Sequence, residues 1–211
     1  MKFRSIFASA LILSVMGLTR ALADAQPTPD PAAKAEADYQ KYLKDRHGAM
    51  KAEHDKFKNQ TTLSLEYYMS LHDLEFQKPK GGGTKLHMTI IGVIPDKITK
   101  KEGPQFALEI IAPGDKGWRY LDCKELNWLV DGKPFKWQDQ DYDNSVLDSG
   151  STMEYFRIYL TPKMLAKLAK AQTIEGKICN DEFVSNQKQM WVLRWANEQI
   201  EAISKANTAT K

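Results

Sequence analysis

The segment Leu126 to Gln138 restricts the fold of this chain more than any other, because it spells out a β-hairpin together with its turn. Asp131-Gly132 tolerates the positive φ that a two-residue hairpin turn demands. Counting outward from that turn sets Val130 opposite Lys133, Trp128 opposite Phe135 and Leu126 opposite Trp137. Leu126, Trp128, Val130, Phe135 and Trp137 then share one face, while Asn127, Asp131, Lys136 and Gln138 point the other way. The apolar face reads as core.

Other stretches repeat this texture. Thr61 to Phe76, Leu86 to Ile94, Gln105 to Ala112 and Trp118 to Asp122 are rich in β-branched and aromatic residues and read as strands. Gly81-Gly82-Gly83 reads as a hairpin turn, since it lacks the spacing to Lys85 of a phosphate-cradling loop. Thr152 to Leu160 alternates, with Phe156, Ile158 and Leu160 on its more apolar side, and Thr173 to Cys179 supplies one more strand. Thr161-Pro162 sets a capping hydroxyl before a proline at the first helical position, predicting a helix through Ala171 with Met164, Leu165 and Leu168 on its buried edge. Ser185 or Asn186 caps a last helix whose apolar face carries Met190, Trp191, Leu193, Trp195, Ile200 and Ile203. The expected fold is mainly β: an antiparallel β-sandwich over 61–205 with peripheral helices, comprising a charged N-terminal helix and two C-terminal helices.

The start of the chain has a different character. Lys2 and Arg4 precede an apolar run from Ile6 to Leu18, and Ala21-Leu22-Ala23 provides a small-x-small cleavage site, so residues 1–23 read as a secretory signal peptide. The apolar run is too short for a membrane span, which needs about 20 residues. Residues 24–31, with Pro27, Pro29 and Pro31, read as an extended linker. Residues 32–60 are expected to form a charged peripheral helix with Leu43, Met50 and Phe57 on a narrow stripe, and residues 206–211 a disordered tail. Removing the leader leaves 27 basic against 27 acidic residues, which gives a nucleic-acid partner little electrostatic support. The location implied is periplasmic or secreted, with no transmembrane segment after cleavage.

Cys123 and Cys179 are the only cysteines, an even count in a chain sent to an oxidising compartment, and a disulfide between them is expected. It would close a loop of 56 positions, worth about 4 kcal/mol on the chain-entropy model. Neither cysteine lies in a CxxC, and His47, His54, His72 and His87 form no HxH, HxxxH or HExxH, so no metal or other cofactor is expected. Ser149-Gly150-Ser151 is not a nucleophile elbow, and no catalytic residue is assigned.

Two groups remain as ligand-binding candidates. Asp139, Asp141 and Asp143 place a carboxylate at every second position, as a calcium loop begins, yet Asn144 replaces the glycine and Gly150 the final acidic ligand; a solvated loop is expected there. Trp118 and Tyr142, beside Gly117 and Asp143, are the aromatic residues best placed for the surface, where they could stack on a sugar or peptide.

Leu126-Asn127-Trp128-Leu129-Val130-Asp131-Gly132, Leu160-Thr161-Pro162 with Leu165 to Ala171, and Glu175-Gly176-Lys177-Ile178 together resemble uncharacterised exported β-sandwich proteins of Gram-negative bacteria. The resemblance covers less than half of the exported chain and implies a fold and a compartment, without catalytic residues. The function expected is a non-catalytic binding or envelope-associated module for an unknown protein or envelope polymer. The alternatives are a hydrolase acting on an envelope polymer through Asp139, Asp141 or Asp143, and a protein-protein adaptor that uses the N-terminal helix. A core position for Trp128 has a measurable consequence: Trp128→Ala should cost about 3 to 5 kcal/mol in denaturant unfolding, whereas a binding-face position would leave stability unchanged.

Overall fold

A computed structural model of the chain describes residues 30–47, 49–65, 75–76, 85–97, 103–114, 117–137 and 139–209. The expected signal peptide, most of the proline-containing linker, the Gly81–Gly83 turn and His72 lie outside these residues. The described chain is mainly β, with two antiparallel sheets and three helices.

The first element is helix α1 (Pro31–Asp45), started by Pro31 and by the Asp30 carboxylate accepting from the Ala32 N–H at 3.0 Å. The helix stops fifteen positions before the expected end at 60, and a strand, β1 (Met50–Asp55), follows. The seven-residue stripe therefore does not exist. Leu43 is on the helix, Met50 opens β1, and Phe57 stands 86% exposed in the turn to β2 (Gln60–Leu65). Burial falls instead on Tyr39 and Tyr42, one turn apart.

The larger sheet has the order β1-β2-β3-β4-β8-β7, in which β3 is His87–Pro95, β4 Gln105–Gly114, β7 Asp139–Val146 and β8 Thr152–Leu160. Its rows show why the pattern folds this way. Tyr142, Phe156, Ile110 and Met88 lie opposite one another across four strands, as do Ile158, Leu108 and Ile90 across three. All of these except Tyr142 are almost fully buried. The smaller sheet has the order β10-β9-β5-β6, in which β5 is Leu126–Val130, β6 Lys133–Phe135, β9 Ile174–Ile178 and β10 Asp181–Val184.

The β5–β6 hairpin has the register that its turn dictates, Val130 opposite Lys133 and Trp128 opposite Phe135. Asp131 and Gly132 carry φ of 51° and 71°. The Asp131 carboxylate also accepts the N–H groups of Thr173 (3.0 Å) and Gln172 (2.8 Å), which lower its pKa and bind the turn to the start of β9. The ladder ends at Phe135, and Trp137 meets Trp128 edge-to-face at 6.2 Å. Buried Trp128 Nε1 has no hydrogen-bond acceptor, and the Trp128 ring packs in T-shaped geometry against the rings of Trp137 and Phe183.

Three expectations need correction. Trp118 to Asp122 forms bends and turns, because it spans from one sheet to the other and pairs with neither. Asp139 to Asn144 belongs to strand β7 instead of a solvated loop, and a further strand, β10, follows β9. Nor are the C-terminal helices peripheral: α2 (Pro162–Ala169) and α3 (Gln187–Ala209) pack on each other and contribute Leu165, Leu168, Val192, Leu193 and Ala196, all fully buried, to one cluster shared by both sheets. Thr161 caps α2 at Met164 N–H (3.2 Å). Asn186 and Gln189 cap α3 reciprocally, each side-chain oxygen accepting the other's N–H, at 3.0 and 2.7 Å. Helix α3 continues through Ala209, past the expected start of a tail at 206.

Tyr39 and Tyr42 lie against α3. Trp191 meets the two rings at 6.4 and 5.1 Å, the Tyr39 hydroxyl donates to Glu198 at 2.7 Å, and Arg194 stacks 3.9 Å above the Tyr39 ring while binding Glu198 at 2.8 Å. The last turns of α1 are thus built into the fold.

On β9, a side chain at Gly176 would be driven into the Phe183 ring. Gly176→Ala should therefore destabilise the protein by about 1 to 3 kcal/mol in denaturant unfolding, even though alanine suits a strand at least as well as glycine.

Candidate functional site

Strand β7 is an edge of the larger sheet, so alternate N–H groups along it face away from β8 with no strand to receive them. The sequence supplies the acceptors. Asp139 Oδ1 accepts the Gln140 N–H, Asp141 Oδ1 the Tyr142 N–H and Asp143 Oδ1 the Asn144 N–H, each at 2.8 Å. The carboxylate spacing that resembles the start of a calcium loop is thus the spacing of orphan donors on an edge strand.

The same three aspartates stand opposite Tyr159, Arg157 and Tyr155 on β8. Arg157 organises this face: its Nε donates to Glu109 on β4 at 2.7 Å, and its Nη1 lies 3.4 Å from Asp143 and 3.9 Å from Asp141. A single guanidinium therefore serves three carboxylates, with Asp141 and Asp143 more than half exposed.

At the end of the strand, Asp139 and Asp141 enter a cleft of about 590 Å³ whose other walls are Gln105, Phe106, Tyr159 and Thr161. Tyr159 is 39% exposed and directly opposite Asp139. Gln140 also lines the cleft and is held by a bond from its Nε2 to the Lys124 carbonyl at 3.0 Å. A phenol ring, two carboxylates, two amides and a hydroxyl here surround one opening.

Of the two aromatic candidates, neither joins the cleft. Trp118 is partly buried on the segment between β4 and β5, and Tyr142 points to the inner face, where its ring meets Phe156 at 5.2 Å and its hydroxyl donates to Glu154 at 2.8 Å. Tyr142 faces inward because it alternates with the aspartates on β7. Lys124 Nζ lies 4.5 Å from its ring centroid.

Glu154 is the polar centre of the molecule. Only 1% exposed, it accepts the N–H of Arg119 and the N–H of Tyr120, both at 2.8 Å, in addition to the Tyr142 hydroxyl. Arg119 in turn clamps Asp181 at the start of β10 through two bonds of 2.8 and 2.7 Å, and the Tyr120 hydroxyl donates to the same carboxylate at 2.7 Å. Beside this network Cys123 and Cys179 form a disulfide, with Cα atoms 6.1 Å apart. Burial, then the bond to Asp181, raises the Tyr120 pKa, and the bond to Asp181 raises that of Arg119. Sequence patterning missed Glu154, Asp181 and Tyr159; the one available signal was a glutamate on the apolar side of a strand.

Among the described residues no three histidine, cysteine, aspartate or glutamate side chains converge as a metal site, and no helix is long and apolar enough to cross a membrane. Asp139 and Asp141 project from one wall of the cleft, both from strand β7. No family model and no curated protein matches the chain.

The inner network can be probed by titration. Burial and the bond to Glu154 push the Tyr142 phenol up to about 12. A raised phenol pKa favours the folded state fully below the ordinary value of about 10, and this contribution disappears as pH rises from there towards 12. Ultraviolet titration should show a late-ionising tyrosine that Tyr142→Phe removes, and Glu154→Gln should bring its ionisation down and lower the melting temperature.

Proposed function

We propose that this protein is an exported, non-catalytic binding module of the cell envelope, periplasmic or secreted, that takes a saccharide segment of an envelope polymer in the cleft beside β7. The leader-like sequence and the disulfide support export. The scaffold for this role is a sandwich of the two antiparallel sheets, a reading supported by the single apolar cluster to which both contribute.

The observation that carries the ligand class is Tyr159. Its exposed ring offers a flat apolar face, and Asp139, Asp141, Gln105 and Thr161 provide polar groups around the same opening. Stacking on a sugar face with hydrogen bonds at the rim is the use such a set fits best. The two carboxylates serve as acceptors for hydroxyl groups. The adaptor reading has lost part of its basis, since Tyr39 and Tyr42 are engaged with α3, although the side chains from Pro31 to Asp38 are exposed.

Cosedimentation of the full chain with isolated cell-wall polymer, and affinity electrophoresis in gels containing soluble envelope polysaccharide, test this reading. Tyr159→Ala should weaken binding about tenfold with an unchanged melting temperature, while Tyr159→Phe keeps most of the affinity. Absence of binding to every such polymer, or equal binding by Tyr159→Ala, overturns the assignment. Release of new reducing ends would return the hydrolase.

A further inference from the structure

At the same end of the larger sheet, the β1–β2 turn carries Lys56-Phe57-Lys58-Asn59. Phe57 is the most exposed large apolar side chain among the described residues, at 86%. Its backbone is fixed within a hydrogen-bonded turn. The Asp55 carboxylate accepts the N–H of Phe57 at 2.9 Å and the N–H of Lys58 at 3.2 Å, which lowers its pKa. Asn59, at φ 50°, completes the turn, and its carbonyl accepts the Asp96 N–H at 2.8 Å, fastening the tip to the end of β3.

The charges around Phe57 share a pattern. Lys56 and Lys58 flank it in sequence, and exposed Lys97 follows Asp96 on the segment to which the tip is fastened. The acids nearby are turned to local partners: Asp55 to the turn N–H groups with Lys58 Nζ at 3.7 Å, and Asp96 to His54 at 3.4 Å. Between Lys58 and Lys97 opens a second cleft of about 710 Å³, also lined by Asn59, Gln60, Gln105 and Asp96, the last of these turned to His54. An aromatic side chain on a hydrogen-bonded tip, lysines on both sides of it in sequence and a cleft between Lys58 and Lys97 match the layered chemistry of an anionic bilayer, whose phosphates lie just above its acyl chains.

The geometry points to the β1–β2 tip as a membrane-contact site: Phe57 enters the interfacial layer of an anionic phospholipid surface, Lys56, Lys58 and Lys97 meet the headgroup phosphates, and the cleft between Lys58 and Lys97 receives one of them. One aromatic side chain and a few lysines give reversible attachment rather than permanent anchoring. The inference stands on the tip alone and does not depend on a saccharide in the Tyr159 cleft.

The test uses the full chain with unilamellar vesicles of phosphatidylglycerol and phosphatidylcholine, against vesicles of phosphatidylcholine only. Phe57→Trp places a reporter at the tip that is read by quenching with phospholipids brominated along the acyl chain, the wild type giving the background from the native tryptophans. Extra quenching on anionic vesicles, lost in high salt and in Phe57→Trp combined with Lys56→Glu and Lys58→Glu, is the expected result. Phe57→Ala should lower vesicle partitioning at least about tenfold, with an unchanged melting temperature because the side chain contacts little of the fold. No extra quenching at the tip, even if the chain itself sediments with vesicles, overturns the proposal. So would capture of a protein partner by the wild type and not by Phe57→Ala in the absence of lipid, which would make the tip a protein contact.

Discussion

A buried carboxylate holds the two sheets to one another. Removing the Glu154 carboxyl group from water carries a desolvation cost, and the fold offsets it by aiming two backbone N–H groups and a phenol at one side chain. Those N–H groups belong to Arg119 and Tyr120, so the segment between β4 and β5 cannot leave the larger sheet without stranding a buried polar group. The side chains of the same two residues then grip Asp181 on the smaller sheet. One short stretch thus faces both ways, by main chain towards β8 and by side chain towards β10. The adjacent disulfide makes the second attachment covalent.

What the sequence disclosed was local. The β5–β6 register, the alternation of Thr152 to Leu160, and the caps at Thr161 and Asn186 are all set by near neighbours, and each was readable from residue order. What stayed hidden depends on distant partners. Asp139, Asp141 and Asp143 look like loop residues until β8 arrives beside them; Trp118 to Asp122 has strand-like composition, yet its N–H groups are claimed by a glutamate more than thirty positions away. The N-terminal helix misled for another reason. Heptad spacing of Leu43, Met50 and Phe57 was accidental, and the residues that matter, Tyr39 and Tyr42, have meaning only with Trp191 and Arg194 opposite.

Similar reasoning divides the candidate site. Tyr142 reads as a surface aromatic because it sits among aspartates, but period-two alternation sends it inward for that very reason. Tyr159 passed unnoticed in a strand of aromatic and aliphatic residues, where nothing local tells an exposed ring from a buried one. The surface chemistry that matters gathers at one end of the larger sheet, where the cleft beside β7 and the cleft beside the β1–β2 tip share Gln105.

The order in which strands are drawn into the two sheets has a kinetic side. The chain lays down β1 to β4 in one sheet, leaves for β5 and β6 in the other, returns for β7 and β8, and leaves again for β9 and β10. The smaller sheet stays a bare hairpin until β9 is available, and Asp181, which Arg119 needs, comes later still. Pairings so far apart must wait for loop closure, so such a chain folds late and nearly all at once, with few stable halves along the way. The last strands to be made, β9 and β10, therefore decide when the whole architecture consolidates.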